Sequence, residues 1–261
     1  MGERVSTGGS GGRNKEIQEM IRYHGLPITP VPTSLHVLQG RHALVSFFSD
    51  SQISRIADVV ASFIIDNGAY SIWRSGKGSI DIRKYAEFVN KWRCHPAFDW
   101  CLIPDSITGD VSENKRMLRE FMRYGFSLSM CVPVFHLHEP LSYLAELIEM
   151  FPRVALGSSG EYARPKTTIW WKRMEEISNF LCRDSNTPNS KIHALRMMDP
   201  EIFSVFPFSS VDSCHIAMNV NLDVKWSKGY LRHLSKEARA VNIATYCEHA
   251  PVARIWNGRN I

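Results

Sequence analysis

Short apolar runs alternate with amphipathic segments along most of this 261-residue chain. Apolar runs bounded by turn formers read as buried strands, whereas apolar positions recurring at steps of three and four read as helices. Strands are expected at Ile28–Val31, His42–Phe48, Ser62–Ile65, Trp100–Ile103, Ser129–Leu137, Val154–Leu156, Ile192–Met197 and Ser209–Val211. Helical spacing is shown by Ile53, Ile56, Val59 and Val60, then by Ile82, Tyr85, Val89 and Trp92. It returns at Met117, Leu118, Phe121 and Met122, at Leu141, Leu144, Leu147, Ile148 and Phe151, and at Trp170, Met174, Ile177 and Leu181. Asp110 with Glu113 resembles a capping box, and Asp199-Pro200 pairs an N-cap residue with proline at the first helical position.

Strands buried on both faces and separated by helices imply a parallel sheet. About eight such units in this length favour an α/β fold of the (β/α)8 TIM type over an open doubly wound sheet. No Gly-x-Gly-x-x-Gly or Walker-type loop argues for a dinucleotide or a nucleoside triphosphate. Residues 1–14 are rich in glycine and serine and read as a flexible tail carrying Arg4 and Arg13. Residues 15–261 then form a single barrel domain with a basic C-terminal segment.

Polar residues gather where the expected strands end: Asp66-Asn67-Gly68, Asp105, His136-Leu137-His138-Glu139, Gly157 to Glu161, and Asp212. Each has a local explanation; Asp66, for example, can simply bond the amides of an Asn-Gly turn. In a barrel, however, all of these points converge on the C-terminal mouth, where catalytic groups reside.

Composition changes this picture little. Hydrophobic residues make up 44% and charged residues 22%, ordinary for a globular chain. No apolar run approaches the ~18 residues needed to cross a bilayer, and the N-terminus lacks an apolar signal core. A cytoplasmic protein with no membrane partner is expected (host cytoplasm if phage-encoded). The six cysteines include no Cys-x2-Cys pair, so a disulfide framework is not expected. A net charge of +5 is compatible with a polyanionic partner.

Four segments together resemble the tRNA-guanine transglycosylase superfamily. Phe63-Ile64-Ile65-Asp66-Asn67-Gly68-Ala69-Tyr70 is similar to its Asp-Ser-Gly-Gly/Ala-Phe-Gln signature, and Leu102-Ile103-Pro104-Asp105 stands where the family has Leu-Asp-Glu. Ala155-Leu156-Gly157-Ser158-Ser159-Gly160-Glu161 is similar to Gly-Gly-Leu-Ala-Val-Gly-Glu, and Ser210-Val211-Asp212-Ser213-Cys214 resembles the nucleophile segment Met-Phe-Asp-Cys-Val. Order and rough spacing match from about residue 60 to 215. The compact form looks most like the phage and bacterial branch that exchanges guanine in DNA for a 7-deazaguanine. Three departures stand out. The tail offers only Cys247-Glu248-His249 in place of the zinc motif, so neither the zinc nor its subdomain is carried over. Ser71 replaces the glutamine after Gly-Ala-Phe, and His136 or His138 replaces the base-reading glutamine.

The resemblance implies base exchange with no cofactor, on DNA more than on tRNA, with a free 7-deazaguanine base such as 7-cyano-7-deazaguanine as the second substrate. It makes Asp212 the nucleophile at C1′ and Asp66 the carboxylate handling the proton on the base. Asp105 would accept from the base edge, and Gly157 and Ser158 would bring backbone close to the base oxygen. Asn67, Gly68 and His136 complete the base-binding set, with Tyr70 and Met197 as the faces of a stacking slot. Trp73, Arg74 and Lys77 suit a loop touching nucleic acid, and Lys225, Lys228, Arg232, Lys236 and Arg239 fall near one face of a helical tail; ordinary solvated surface explains both sets too. Two other readings stay open. His136, His138, Glu161, His193 and Asp212 could make the metal site of a barrel hydrolase. The chain could also be a non-catalytic nucleic-acid-binding subunit.

Overall fold

A computed structural model of the protein describes residues 19–76, 78–219 and 233–258. Its strands are β1 (Ile21–Gly25), β2 (His42–Ser46), β3 (Ser62–Asp66), β4 (Phe98–Leu102), β5 (Cys131–Val132), β6 (Val134–His136), β7 (Arg153–Gly157), β8 (Lys191–Ala194) and β9 (Ser210–Ser213). They hydrogen-bond in the order β5-β4-β3-β2-β1-β9-β8-β7-β6, and every pairing is parallel. The split between β5 and β6 lies at Pro133, which has no N–H to give to a ladder. Its carbonyl still accepts from Ala155 N at 2.9 Å, while Val132 O accepts from Ile103 N at 2.8 Å. The two segments are therefore one strand path joining β4 to β7. The sheet closes into an α/β barrel of the TIM type, as the pattern of alternating elements predicted.

Period two along the strands divides the core. Tyr23, Leu44, Ile64, Trp100, Leu102, Val132, Val134 and Ala155 fill the barrel interior. The alternate positions pack outward under the helices, in one cluster around Phe63, Tyr85 and Phe121 and another around Phe135, Trp170 and Phe203. Capping follows the sequence closely. Asp110 accepts from Glu113 N at 2.8 Å at the start of helix Val111–Met122. Asp199 caps helix Pro200–Phe203, with Pro200 in its first turn.

Several boundaries differ from the expectation. The first strand is β1, not Ile28–Val31, which runs instead into helix Val31–Leu38 with proline in its first turn. Arg22, Tyr23 and His24 make β1 look polar, yet all three are buried. The second strand stops at Ser46, whose hydroxyl accepts from Phe48 N and opens a 3-10 turn over Phe47–Ser49. The helix begun by Ile53 is a single turn, Ile53–Ile56. Gly68 does not lead into a loop but into helix Ala69–Ser75. In the tail, helix Lys236–His249 buries Arg239 with its guanidinium on Leu234 O, so Arg239 does not share an outward basic face with Lys236. Residues 1–14, Lys77, Lys225, Lys228 and Arg232 lie outside the described residues. Among the described residues no helix is long and apolar enough to cross a membrane.

Ile64 is fully buried at the middle of the barrel interior, with no polar partner to lose. Ile64→Ala is expected to cost ~2–5 kcal/mol of unfolding free energy. Leu128→Ala, at a position 44% exposed, should stay within ~0.5 kcal/mol of wild type. Urea denaturation of both variants checks the contrast.

Candidate functional site

The C-terminal ends of the strands enclose a cavity of about 200 Å³. Asp66, Asn67, Tyr70, Asp105, His136, Gly157, Ser158 and Asp212 all line it. They come from the ends of β3, β4, β6, β7 and β9, which is the convergence a closed parallel barrel enforces.

Asp212 is 2% exposed. Its Oδ1 accepts from Arg196 N at 2.9 Å and pairs with His193 Nε2 at 3.2 Å. Asp105 is held equally closely, by Asn67 Nδ2 at 2.6 Å on Oδ1 and His136 Nε2 at 2.8 Å on Oδ2. Burial works against a proton on His136, but the bond to Asp105 and the charges of Asp105 and Glu139 outweigh it and raise its pKa. Asp66 differs. Its carboxylate keeps some solvent contact through the cavity mouth but lies under dense protein. Burial first, then the negative charges of Asp212 and Asp105, lift its pKa from 3.8 to about 7 against hydrogen bonds from Ser46 and Gly68. Asp66 Oδ2 does accept from Gly68 N at 3.2 Å, so the turn-bonding role coexists with a place in the cavity.

Buried side chains brace these loops. Asn67, 1% exposed, also donates to Ile103 O at 2.7 Å and accepts from Ala69 N, the first residue of the following helix, at 2.8 Å. Its polar atoms are thus committed to the scaffold. Glu139 accepts from His136 N at 2.7 Å and from Asn114 Nδ2 at 2.9 Å, and Asn114 Oδ1 takes Ser106 N at 2.8 Å. The loops after β4 and β6 are tied together in this way.

Not every expected residue reaches the cavity. Gly68 sits at φ +79°, and a Cβ there would press on Phe48 at 3.1 Å, so glycine serves the turn. Met197 is fully buried in the outer cluster. β8 ends at Ala194, and Arg196 adopts φ +58°, which puts Leu195 in the cavity and Met197 outside the barrel. Leu195 therefore takes the place expected of Met197. Arg74 is exposed on helix Ala69–Ser75 and lines neither this cavity nor the adjoining one walled by Trp73. Glu161 is exposed in the 3-10 turn Gly160–Tyr162, and His138 pairs with Ser159 Oγ at 2.8 Å. Among the described residues no three His, Cys, Asp or Glu side chains are grouped to hold a metal ion.

Arg196 and Cys214 were missed. The Arg196 guanidinium lies 3.9 Å from the Tyr70 ring centroid and donates to Ser158 O at 3.2 Å. A positive-φ arginine inside an apolar run leaves no local signal. Burial and the charges of Asp212 and Asp66 push the Cys214 thiol up to about 12, so it stays neutral. At the opposite end of the barrel a cavity of about 280 Å³ is lined by Arg22, Arg41, His42 and Glu248. Arg41 Nε there bonds Glu248 Oε2 at 2.9 Å, and Arg22 donates to the carbonyls of Met20 and Ala250.

The comparisons with known proteins bear on the fold. No protein-family model matches the chain, and neither does any curated protein. Among solved structures it is similar to a protein assigned as a fructose-1,6-biphosphate aldolase from Coccidioides immitis, with a TM-score of 0.52 and 12% identity over 88% of this chain and 86% of that one. At that identity the likeness defines a TIM-type barrel and nothing finer.

A group whose native pKa lies above its unfolded value adds stability below the unfolded pKa and loses it as pH climbs through the native one. For Asp66 that window runs from about 4 to about 7, and His136 acts in the same direction above 6.5. Asp66→Asn removes the first contribution only. The gap in Tm between Asp66→Asn and wild type should therefore shift in the variant's favour from pH 5 to pH 8, as thermal melts across that range will show.

Proposed function

We propose that the protein is a base-exchange transglycosylase that replaces guanine in DNA with a 7-deazaguanine. One observation carries the reading: Asp66, Asp105 and Asp212, distant in sequence, line a single cavity together with the aromatic ring of Tyr70 and the aliphatic side chain of Leu195. The order of motifs resembling the tRNA-guanine transglycosylase superfamily supports it independently.

In this reading a flipped nucleotide enters the mouth with its base between Tyr70 and Leu195. The Asp212 carboxylate attacks C1′, the bond from C1′ to the base nitrogen breaks, and the electron pair leaves with guanine. Asp66, poised near neutrality, gives the departing base its proton. A 7-deazaguanine then occupies the slot, Asp66 takes its ring N–H proton, and the nitrogen attacks C1′ to release Asp212. Atoms and charge balance without a further reagent. The Asp105 carboxylate keeps acceptor capacity for the N1–H and amine of the base, each charge-assisted bond worth ~1.5–3 kcal/mol.

Incubation with duplex DNA, single-stranded DNA and tRNA, each with candidate deazaguanines, followed by nucleoside mass spectrometry, tests the reading. Incorporation into DNA is expected. Incorporation into tRNA alone would move the substrate to RNA, and none into either would end the proposal. Asp212→Asn should lower exchange of labelled guanine by on the order of 10⁴ or more while nucleic acid binding is retained. A variant exchanging at the wild-type rate would remove the nucleophile assignment. It would leave a binding role or a different chemistry for the cavity.

A further inference from the structure

Directly beneath Asp212, on the barrel side away from the mouth, lies a histidine that the reaction above does not use. His193 is fully buried on β8. Its Nε2 meets Asp212 Oδ1 at 3.2 Å, and its Nδ1 meets Ser210 Oγ at 2.9 Å. The ring edge packs on Trp100 with centroids 4.8 Å apart. We propose that His193, oriented by Ser210, is a positioning residue that fixes which oxygen of Asp212 faces the sugar. This rests on the transglycosylase reading of the same cavity.

The assignment follows from counting protons. Burial keeps His193 neutral by lowering its pKa, against the pull of Asp212. A neutral imidazole has one N–H, and a carboxylate only accepts, so the proton sits on Nε2. Nδ1 must then accept, which makes the Ser210 hydroxyl the donor. The result is a one-way chain: Ser210 O–H to Nδ1, Nε2–H to Asp212 Oδ1. The Arg196 backbone N–H points to the same oxygen. With both donors on Oδ1, Oδ2 is the oxygen directed to C1′. Oδ1 becomes the carbonyl of the glycosyl ester, and its two donors stabilise the carboxylate when the second base displaces it. The groups facing His193 from the surrounding strands are Asp212, Tyr23, Asp99 and Arg153. Tyr23 O–H is itself tied to Asp99, and Arg153 lies over Trp100.

An internal control exists on the other side of Tyr23. His42 Nδ1 meets Ser62 Oγ at 2.8 Å, the same pairing, but among the described residues His42 has no hydrogen bond to a carboxylate. Two measurements test the proposal. Long-range ¹H–¹⁵N spectra of the wild-type protein, assigned by loss of signal in His193→Gln, should show a neutral Nε2–H tautomer from pH 6 to pH 8. An imidazolium or an Nδ1–H tautomer overturns the chain whatever the activity. In exchange assays His193→Phe should lower kcat by about 10–100-fold, as loss of an orienting partner does, with KM for the free base nearly unchanged. His193→Gln, which keeps a donor, should recover part of the rate, and His42→Phe should match wild type. Wild-type rates in His193→Phe, or a loss confined to KM, overturn the proposal. Should wild-type protein exchange no base at all, the transglycosylase reading falls, and the tautomer alone decides the chain.

Discussion

Three carboxylates facing one small cavity repel each other, and the low dielectric around them strengthens that repulsion. The rim of this barrel is built around that cost. Asp212 receives a backbone N–H from Arg196 and a ring N–H from His193, and Asp105 receives an amide from Asn67 and a ring nitrogen from His136. These donors come from buried side chains or from backbone locked by the turn after β8. They are aligned before any ligand arrives, the condition under which hydrogen bonds act strongly on developing charge.

The donors are themselves held from outside. Glu139 and Asn114 tie the loop carrying Asp105 to the one carrying His136, and Trp170 Nε1 holds Ser158 Oγ at 3.0 Å. At the other end of the barrel the interior is also polar, with Tyr23 on Asp99, His42 on Ser62 and His193 on Ser210. Each of those groups has a neutral or single-charge partner and needs no ligand. The two ends differ in charge balance: the floor pairs a single carboxylate, Asp99, with Tyr23 and Arg153, whereas the mouth gathers three carboxylates around a cavity.

How much of this was legible in the sequence depended on what each residue faces. Strands β2, β3 and β7 were legible because both their faces meet apolar neighbours, so their central residues form continuous apolar runs. β1 was not, because Tyr23 turns inward to Asp99 while Arg22 and His24 turn outward to Ala250 O and Glu248, and periodicity cannot distinguish a buried polar residue from an exposed one. The carboxylates were found since they stand directly after apolar runs. Arg196 was missed and Met197 misplaced for the opposite reason. The run Ile192–Met197 reads as one strand, yet the strand stops at Ala194 and the positive φ at Arg196 leaves Leu195 in the cavity and Met197 in the outer cluster. Nothing in a hydrophobicity pattern marks that turn.

That turn has a physical cost and a use. A non-glycine residue in the left-handed region is strained by ~1–3 kcal/mol, and the surroundings must over-determine it to keep it there. Here the N–H of Arg196 ends on the nucleophile candidate, its guanidinium ends on Ser158 O, and its cationic plane lies on Tyr70. An extended Arg196 would continue the strand and turn its N–H into the ladder, leaving Asp212 with His193 alone. The asymmetry between the two acids follows from this. Asp212 sits where donors converge on one oxygen, whereas Asp66 is lifted to about 7 by burial first and then by the negative charges of its two neighbours. Two carboxylates in one cavity are thereby given different surroundings by geometry, one with two hydrogen-bond donors on a single oxygen and the other lifted toward neutral pH.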